Sequence, residues 1–235
     1  MLYRSRMSVY CYTAVPDVLG FDCNQPVSAE DAATMFTAGY RFALRYVRRD
    51  QRHAYDLTAD EARGLFAAGL GLMLVQHVAP SPWVPSVKLG YRQGIVAGYE
   101  ADALGIPSGA LVWCDLEGVA PNTDAERTID YCNAWHAEVA RAGYLPGLYV
   151  GWQCGLDGDQ LYHALRFAHY WAAYNLNGDE EPSVRGCEMR QHALAADETA
   201  PSVEFLFQND RIDGDALGGV PVVVAPYGWR EWVMS

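Results

Sequence analysis

Residues Ser28 to Val47 read SAEDAATMFTAGYRFALRYV, and the order of signals within them decides the fold. Ser28 stands three residues before Asp31, the spacing at which a hydroxyl and a carboxylate satisfy the free N–H groups that open a helix. Gly39 after Ala38 supplies the left-handed residue that stops one. Arg41 to Val47 is then an apolar run of the kind a buried strand needs. The same joint recurs at Ala68-Gly69-Leu70, Leu104-Gly105-Ile106 and Ala142-Gly143-Tyr144, and strand-like runs follow it at Gly71 to Val78, Ala110 to Glu117 and Pro146 to Gly151. Helix starts of the Ser28 type recur at Thr58 with Glu61 and at Thr123 with Glu126.

Helix and strand thus alternate in units of the length of a parallel βα repeat. A first strand at Val18 to Cys23 and later ones at Tyr170 to Tyr174, Cys187 to His192 and Phe205 to Gln208 bring the count to eight. Eight favours closure, so the expectation is an α/β fold, an irregular (β/α)8 TIM-type barrel, with an open doubly wound sheet as its rival. Between Asn175 and Glu204 no long helical period appears, which predicts short or missing helices in the C-terminal third. A single domain over residues 1–235 is expected, with its core at about 18–224 and a tail, Tyr227 to Ser235, that packs by Trp229 and Trp232.

Composition narrows the partners. Hydrophobic residues make up 51% and charged residues 20% of the chain, the balance of a packed globular protein. No apolar run approaches the length of a membrane span. A formal net charge of -12, with Arg45 to Arg52 the one basic run, argues against nucleic acid. Residues 1–12 lack the apolar region of a signal peptide, so the sequence leaves location open, including export by another route or release on lysis. Six scattered cysteines without C-x-x-C spacing read as buried free thiols, although one disulfide stays open. A monomer is expected.

In a parallel barrel the βα loops gather at the C-terminal strand ends, and those ends are polar here: Asp22; Arg45 and Tyr46; Gln76 and His77; Asp115 and Glu117; Tyr174 and Asn175; Gln191 and His192; then Asn209, Asp210, Asp213 and Asp215. Alternation in Trp113-Cys114-Asp115-Leu116-Glu117 puts both acids on one strand face, where repulsion and an apolar setting raise one pKa. One acid and one carboxylate are what glycoside hydrolysis needs. The same spacing also fits a strand that ends in solvated acids. Asp22 could cap a helix, but Ser28 fills that role better. Asp213 in Ile212-Asp213-Gly214-Asp215 fits a loop turn on spacing alone. Trp83, Trp152, Trp171, Tyr149 and Tyr174 lie in or near βα loops, where rings stack on sugar faces; taken singly, each reads better as core. No cofactor or metal is expected, though acids with His77 or His192 keep a metal-dependent hydrolase open.

The motifs Gly20-Phe21-Asp22, Trp113 to Glu117, Gly147-Leu148-Tyr149, Tyr170 to Tyr174, Arg190-Gln191-His192 and Ile212 to Asp215, in that order, resemble the glycoside-hydrolase-like domain of unknown function related to family 25 lysozymes. The resemblance runs from about Val18 to Val224. It implies an irregular barrel that acts on the amino-sugar linkage of peptidoglycan, with Glu117 as general acid. Asp115 would assist the substrate's acetamido group or stabilise positive charge, Asp22 would support the reacting centre, and Asp213, or less securely Asp215, would match a late carboxylate. Tyr149, Trp171, Tyr174, Gln191, Gln76, Arg45 and Asp215 would bind the sugar polymer. Arg190 replaces the aromatic usual before the late Gln, and His192 stands where Tyr is common. A glycan-binding barrel without turnover is the alternative.

Overall fold

A computed structural model describes residues 8–176, 178–193 and 200–233. Ten strands and five α-helices order along the chain as β1 (Val9–Thr13), β2 (Leu19–Cys23), α1 (Ala29–Thr37), β3 (Phe42–Val47), α2 (Ala59–Ala67), β4 (Gly71–Gln76), α3 (Val87–Ala103), β5 (Leu111–Leu116), α4 (Ala125–Arg141), β6 (Leu145–Val150), β7 (His169–Ala172), β8 (Met189–His192), β9 (Gln208–Ile212), β10 (Val222–Pro226) and α5 (Trp229–Val233). Strands β2 to β9 form the expected closed eight-stranded barrel, sealed between β4 and β5. Only short turns, Gln160–Ala164 and Gly178–Glu180, stand between β6 and β8 among the described residues, so the C-terminal third is as helix-poor as its sequence predicts.

The joints behave as read. Gly39, Gly69, Gly105 and Gly143 all have positive φ, between +76° and +100°. Ser28 and Thr58 accept from the N–H groups of Asp31 and Glu61. The third start differs: Asp124 caps α4, and the Thr123 hydroxyl instead donates to the Ala120 carbonyl. All six cysteines are free, and only Cys11 is exposed.

The last barrel strand corrects the expectation. It covers Gln208–Ile212, not Phe205 to Gln208, and runs antiparallel to both neighbours, β8 and β2, while the other barrel strands are parallel. A parallel return needs a crossover to the far end of the barrel, usually a helix. No helix is described between β8 and β9, so the chain turns at the mouth and re-enters there. The antiparallel pair of β1 and β10, joined to the barrel at Val224 and Leu72, was not anticipated. Together with α5 it closes the opposite end: Tyr12, Ala14, Val223, Ala225 and Trp229 belong to the interior cluster, and Trp229 Nε1 donates to the Arg41 carbonyl at 2.8 Å. Trp232 packs on Phe36.

Alternation divides each strand between two cores. Phe42, Leu44, Met73, Val75, Leu111, Trp113, Tyr149, Trp171, Met189 and Ile212 fill the barrel, while Phe21, Ala43, Leu72, Leu74, Val112, Cys114 and Leu148 meet the helices. Gly20 and Gly147 make room inside, because a Cβ there would lie 2.2 Å from the Phe42 ring and 2.4 Å from Trp113. Outside, Gly90 and Gly94 let α3 touch the backbone of α4, with Cβ positions only 2.1 and 2.6 Å from the Tyr131 and Trp135 carbonyl oxygens.

Candidate functional site

The open end of the barrel holds a cleft of about 430 Å³. Its floor is made by Asp22, Tyr46, Glu117, Tyr149 and Gln191, and Asn24, Trp152, Tyr174, Asn175, Leu206 and Gln208 form the rim. Trp152 and Tyr174 are more than half exposed.

Glu117 follows the last residue of β5 and is half-buried. Three backbone contacts hold this turn: Trp83 Nε1 donates to the Glu117 carbonyl (2.7 Å), Gly118 N–H to Trp152 O (2.8 Å), and Gly151 N–H to Leu116 O (3.0 Å). Gly151 sits so close that an added Cβ would lie 2.6 Å from Glu117 Cβ and 2.7 Å from its Oε2. Burial raises the Glu117 pKa above the ordinary value.

Asp22 ends a buried chain of hydrogen bonds. Tyr149 OH donates to Gln191 Oε1 (2.9 Å), and Gln191 Nε2 donates to Asp22 Oδ2 (2.8 Å). From the other side Asp210, fully buried, accepts from Trp171 Nε1 at 2.8 Å and shares a hydrogen bond with Asp22. Oδ2 of Asp210 has no donor in the protein. Two carboxyls can bond each other only through a proton, and Asp210 is the one to carry it: burial, then the charge of Asp22, holds it well above the carboxylate range. Asp22 is pushed up to about 6, by burial first, against the donors Gln191 and Asp210 and with the Glu117 charge adding.

Asp115 is buried beneath this floor and is not among the residues that line the cleft. Burial raises it well above its ordinary value, and the charges of Glu117 and Asp22 add to this, opposed by a hydrogen bond from the Val78 backbone. Four carboxyls therefore converge from β2, β5 and β9, with no cation set among them by the described residues. Like charges brought together disfavour one another's ionisation, so each raises its neighbours. No group of three or more His, Cys, Asp or Glu with metal-holding geometry occurs among the described residues.

The structure brings Asp22, Glu117, Tyr149, Tyr174 and Gln191 to the cleft as expected and buries Asp115 and Trp171 just below it. The other expected residues lie elsewhere. Arg45 points outward, fully buried, and bonds Glu61 Oε1 (2.6 Å), Cys23 O (2.6 Å) and Tyr55 O (3.0 Å). Gln76 also faces the helices, donating to Gln93 O (2.9 Å) and accepting from Trp135 Nε1 (2.7 Å). Both sit on the outward phase of their strands, with Ala43 and Leu74. Asp213 and Asp215 follow β9, whose reversed direction carries them to the closed end. There Asp213 N–H donates to Glu188 O (3.0 Å), and Asp215 closes a turn with Gly219 N–H (2.7 Å) and Arg185 (2.9 Å). The late carboxylate at the mouth is Asp210, which sequence reasoning named among the strand-end residues but did not select. Its period-two relation to Ile212, on a strand extended past Gln208, was the available signal.

A protein-family model described as "Rv2525c-like, glycoside hydrolase-like domain" matches residues 33–196. No curated protein sequence is similar enough to match. Several solved structures share the fold. The Tat-secreted protein Rv2525c of Mycobacterium tuberculosis, solved in complex with HEPES, is 16% identical with a TM-score of 0.58, over 83% of this chain and 95% of that one. A muramidase from Trichobolus zukalii is 16% identical with a TM-score of 0.54, over 84% and 94%. A family 25 glycosyl hydrolase from Bacillus anthracis is 12% identical with a TM-score of 0.56, over 86% and 91%. At such identities these likenesses speak for the barrel alone, whereas the family match spans most of the sequence, and by it the chain belongs to the Rv2525c-like, glycoside hydrolase-like domain family.

Proposed function

We propose that the cleft is the active site of a glycoside hydrolase acting on peptidoglycan or a related amino-sugar polymer. The observation that carries this reading is that Glu117 and Asp22, delivered by strands far apart in the sequence, line one open cleft and are both raised by burial. Glu117 is the general acid: half-buried, raised by burial and open to the cleft, it donates its proton to the leaving glycosidic oxygen. Asp22, with its lower-energy charged form supported by Gln191 and the Asp210 proton, is the carboxylate that faces the positive charge developing on the sugar or orients the acetamido group. Asp115 acts from beneath as a positioning residue, a neutral acid that keeps water and counter-charge away from Glu117. Trp152 and Tyr174 stack on sugar faces, while Asn24, Asn175 and Gln208 pair with hydroxyls. Muramidases and lysozymes among the structures sharing the fold support the choice of substrate class.

The test is release of reducing ends from purified peptidoglycan. Wild type is expected to release them, and Glu117→Gln to lose about 10²- to 10⁴-fold in kcat while still binding the polymer, as removal of a general acid does. Binding by wild type without any release would contradict hydrolysis and leave a glycan-binding barrel.

A further inference from the structure

Helix α3 leaves an apolar ridge bare. Its glycines let it sink against α4, and Val87, Tyr91, Ile95 and Tyr99 follow one another at every fourth residue along the side left open. Tyr91 and Tyr99 are 54% and 60% exposed, and Val87 and Ile95 are exposed with them. Single exposed apolar residues are ordinary, but a row of them along about 18 Å of helix marks an interaction surface. The ridge is also held in place: the Arg48 guanidinium lies over the Tyr99 ring at 5.6 Å, and Arg48 itself pairs with the buried Glu100.

The charges on this face run against the helix. Helices α1, α2 and α4 carry acids in their first turn, where the positive end of the helix dipole favours them. Helix α3 has no acid in its first turn and no base in its last; it places Lys88 in the first and Asp102 in the last, so the dipole disfavours both. Both side chains are exposed, and neither has an ion-pair partner among the described residues. Arg92, beside the ridge, is already taken by Asp50 at 2.7 Å. An arrangement that is unfavourable within one chain is complementary to its own copy: turned end for end, the helix offers an acid where Lys88 lacks one.

We infer that α3 is the contact face of a homodimer, packed antiparallel against α3 of a second copy about a two-fold axis through Ile95. Around such an axis, positions equally far before and after residue 95 meet. Lys88 and Asp102 each stand seven residues from Ile95, so each Lys88 meets the partner's Asp102. Tyr91 and Tyr99 each stand four residues away, so each Tyr91 ring meets the partner's Tyr99, and the two Ile95 side chains touch on the axis. The dimer replaces the monomer expected from the sequence and is independent of the reading of the cleft. Because α3 runs back along the barrel between the parallel strands β4 and β5, the two clefts open in opposite directions. A single helix face is smaller than the roughly 800 Å² per partner of a standard interface, so the association is weak.

Sedimentation equilibrium of the full chain over a concentration series tests this. Wild type is expected to pass from monomer to dimer with a dissociation constant on the order of 10–100 µM. Ile95→Glu sets two like charges against each other on the axis and is expected to raise that constant at least about 100-fold. Asp102→Lys is expected to raise it about tenfold, and adding Lys88→Asp in the same chain to bring it back near the wild-type value, because the exchanged pair meets again. All three positions are exposed, and circular dichroism verifies that each variant is folded; if Ile95→Glu is not, the charge exchange decides alone. A wild type that stays monomeric up to about 1 mM overturns the dimer. So does a dimer that a folded Ile95→Glu leaves intact, or a loss in Asp102→Lys that Lys88→Asp does not restore.

Discussion

At Asp22 one donor from Gln191 and one from Asp210 offset part of the cost of burial, and the carboxyl still sits at about 6 against an ordinary 3.8. A carboxyl raised on folding contributes stability that is fully present below its unfolded value and is lost as pH rises through its folded value. For Asp22 that window is about pH 4 to 6. Asp22→Asn is therefore expected to flatten the fall in stability across the window, by about 3 kcal/mol, measured by urea unfolding at several pH values. An unchanged slope would mean that Asp22 titrates normally. Asp210 offers a second check. Its proton serves Asp22, and its Oδ1 serves Trp171, so Asp210→Asn can replace both bonds, whereas Asp210→Ala leaves two buried partners unpaired. The Ala variant is expected to lose about 2–4 kcal/mol in denaturant melts and the Asn variant much less.

Elements decide which side chains meet. The turn after β5 and the end of β6 press together at Glu117 and Gly151 with no space for a methyl group. Gly151→Ala must push the Glu117 carboxyl or the Tyr149 ring. A shift of the acid by about an ångström costs on the order of 10²-fold in rate, so kcat on peptidoglycan should fall by that order, with a loss of about 1–3 kcal/mol in stability from the overpacking. A kcat like that of wild type would place the acid's working position elsewhere. The helix stops at Gly39, Gly69, Gly105 and Gly143 were legible because positive φ selects glycine whatever the tertiary context. The strand runs were legible to within two residues for β2 through β8. Inward and outward faces of β3 and β4 were not: Phe42 to Val47 and Gly71 to Gln76 are buried on both sides, so alternation carries no phase, and Arg45 and Gln76 were assigned to the wrong face. The direction of β9 was also beyond local reading. Strand propensity has no sign, and only the lack of a crossover helix among the described residues distinguishes a return at the mouth from one at the closed end. That reversal moved the late acid from Asp213 to Asp210.

At the scale of the whole molecule the barrel is asymmetric by construction. The paired β1 and β10 strands and Trp229 stopper one end with hydrocarbon, and the other is left to acids, amides and aromatic rings. An acidic protein with an acidic mouth gains nothing from long-range attraction to an anionic polymer, so recognition has to come from the short-range contacts of the cleft. The central claim is that carboxyls from separate strands converge on one glycosidic bond. Its most direct test is a crystal structure of the Glu117→Gln protein with an amino-sugar oligomer. The account predicts a glycosidic oxygen within hydrogen-bond distance of the residue 117 amide, with the adjoining sugar over Asp22 and its faces against Trp152 or Tyr174. An oligomer bound away from residue 117, or in the cleft with its linkage turned from both Asp22 and residue 117, would contradict it.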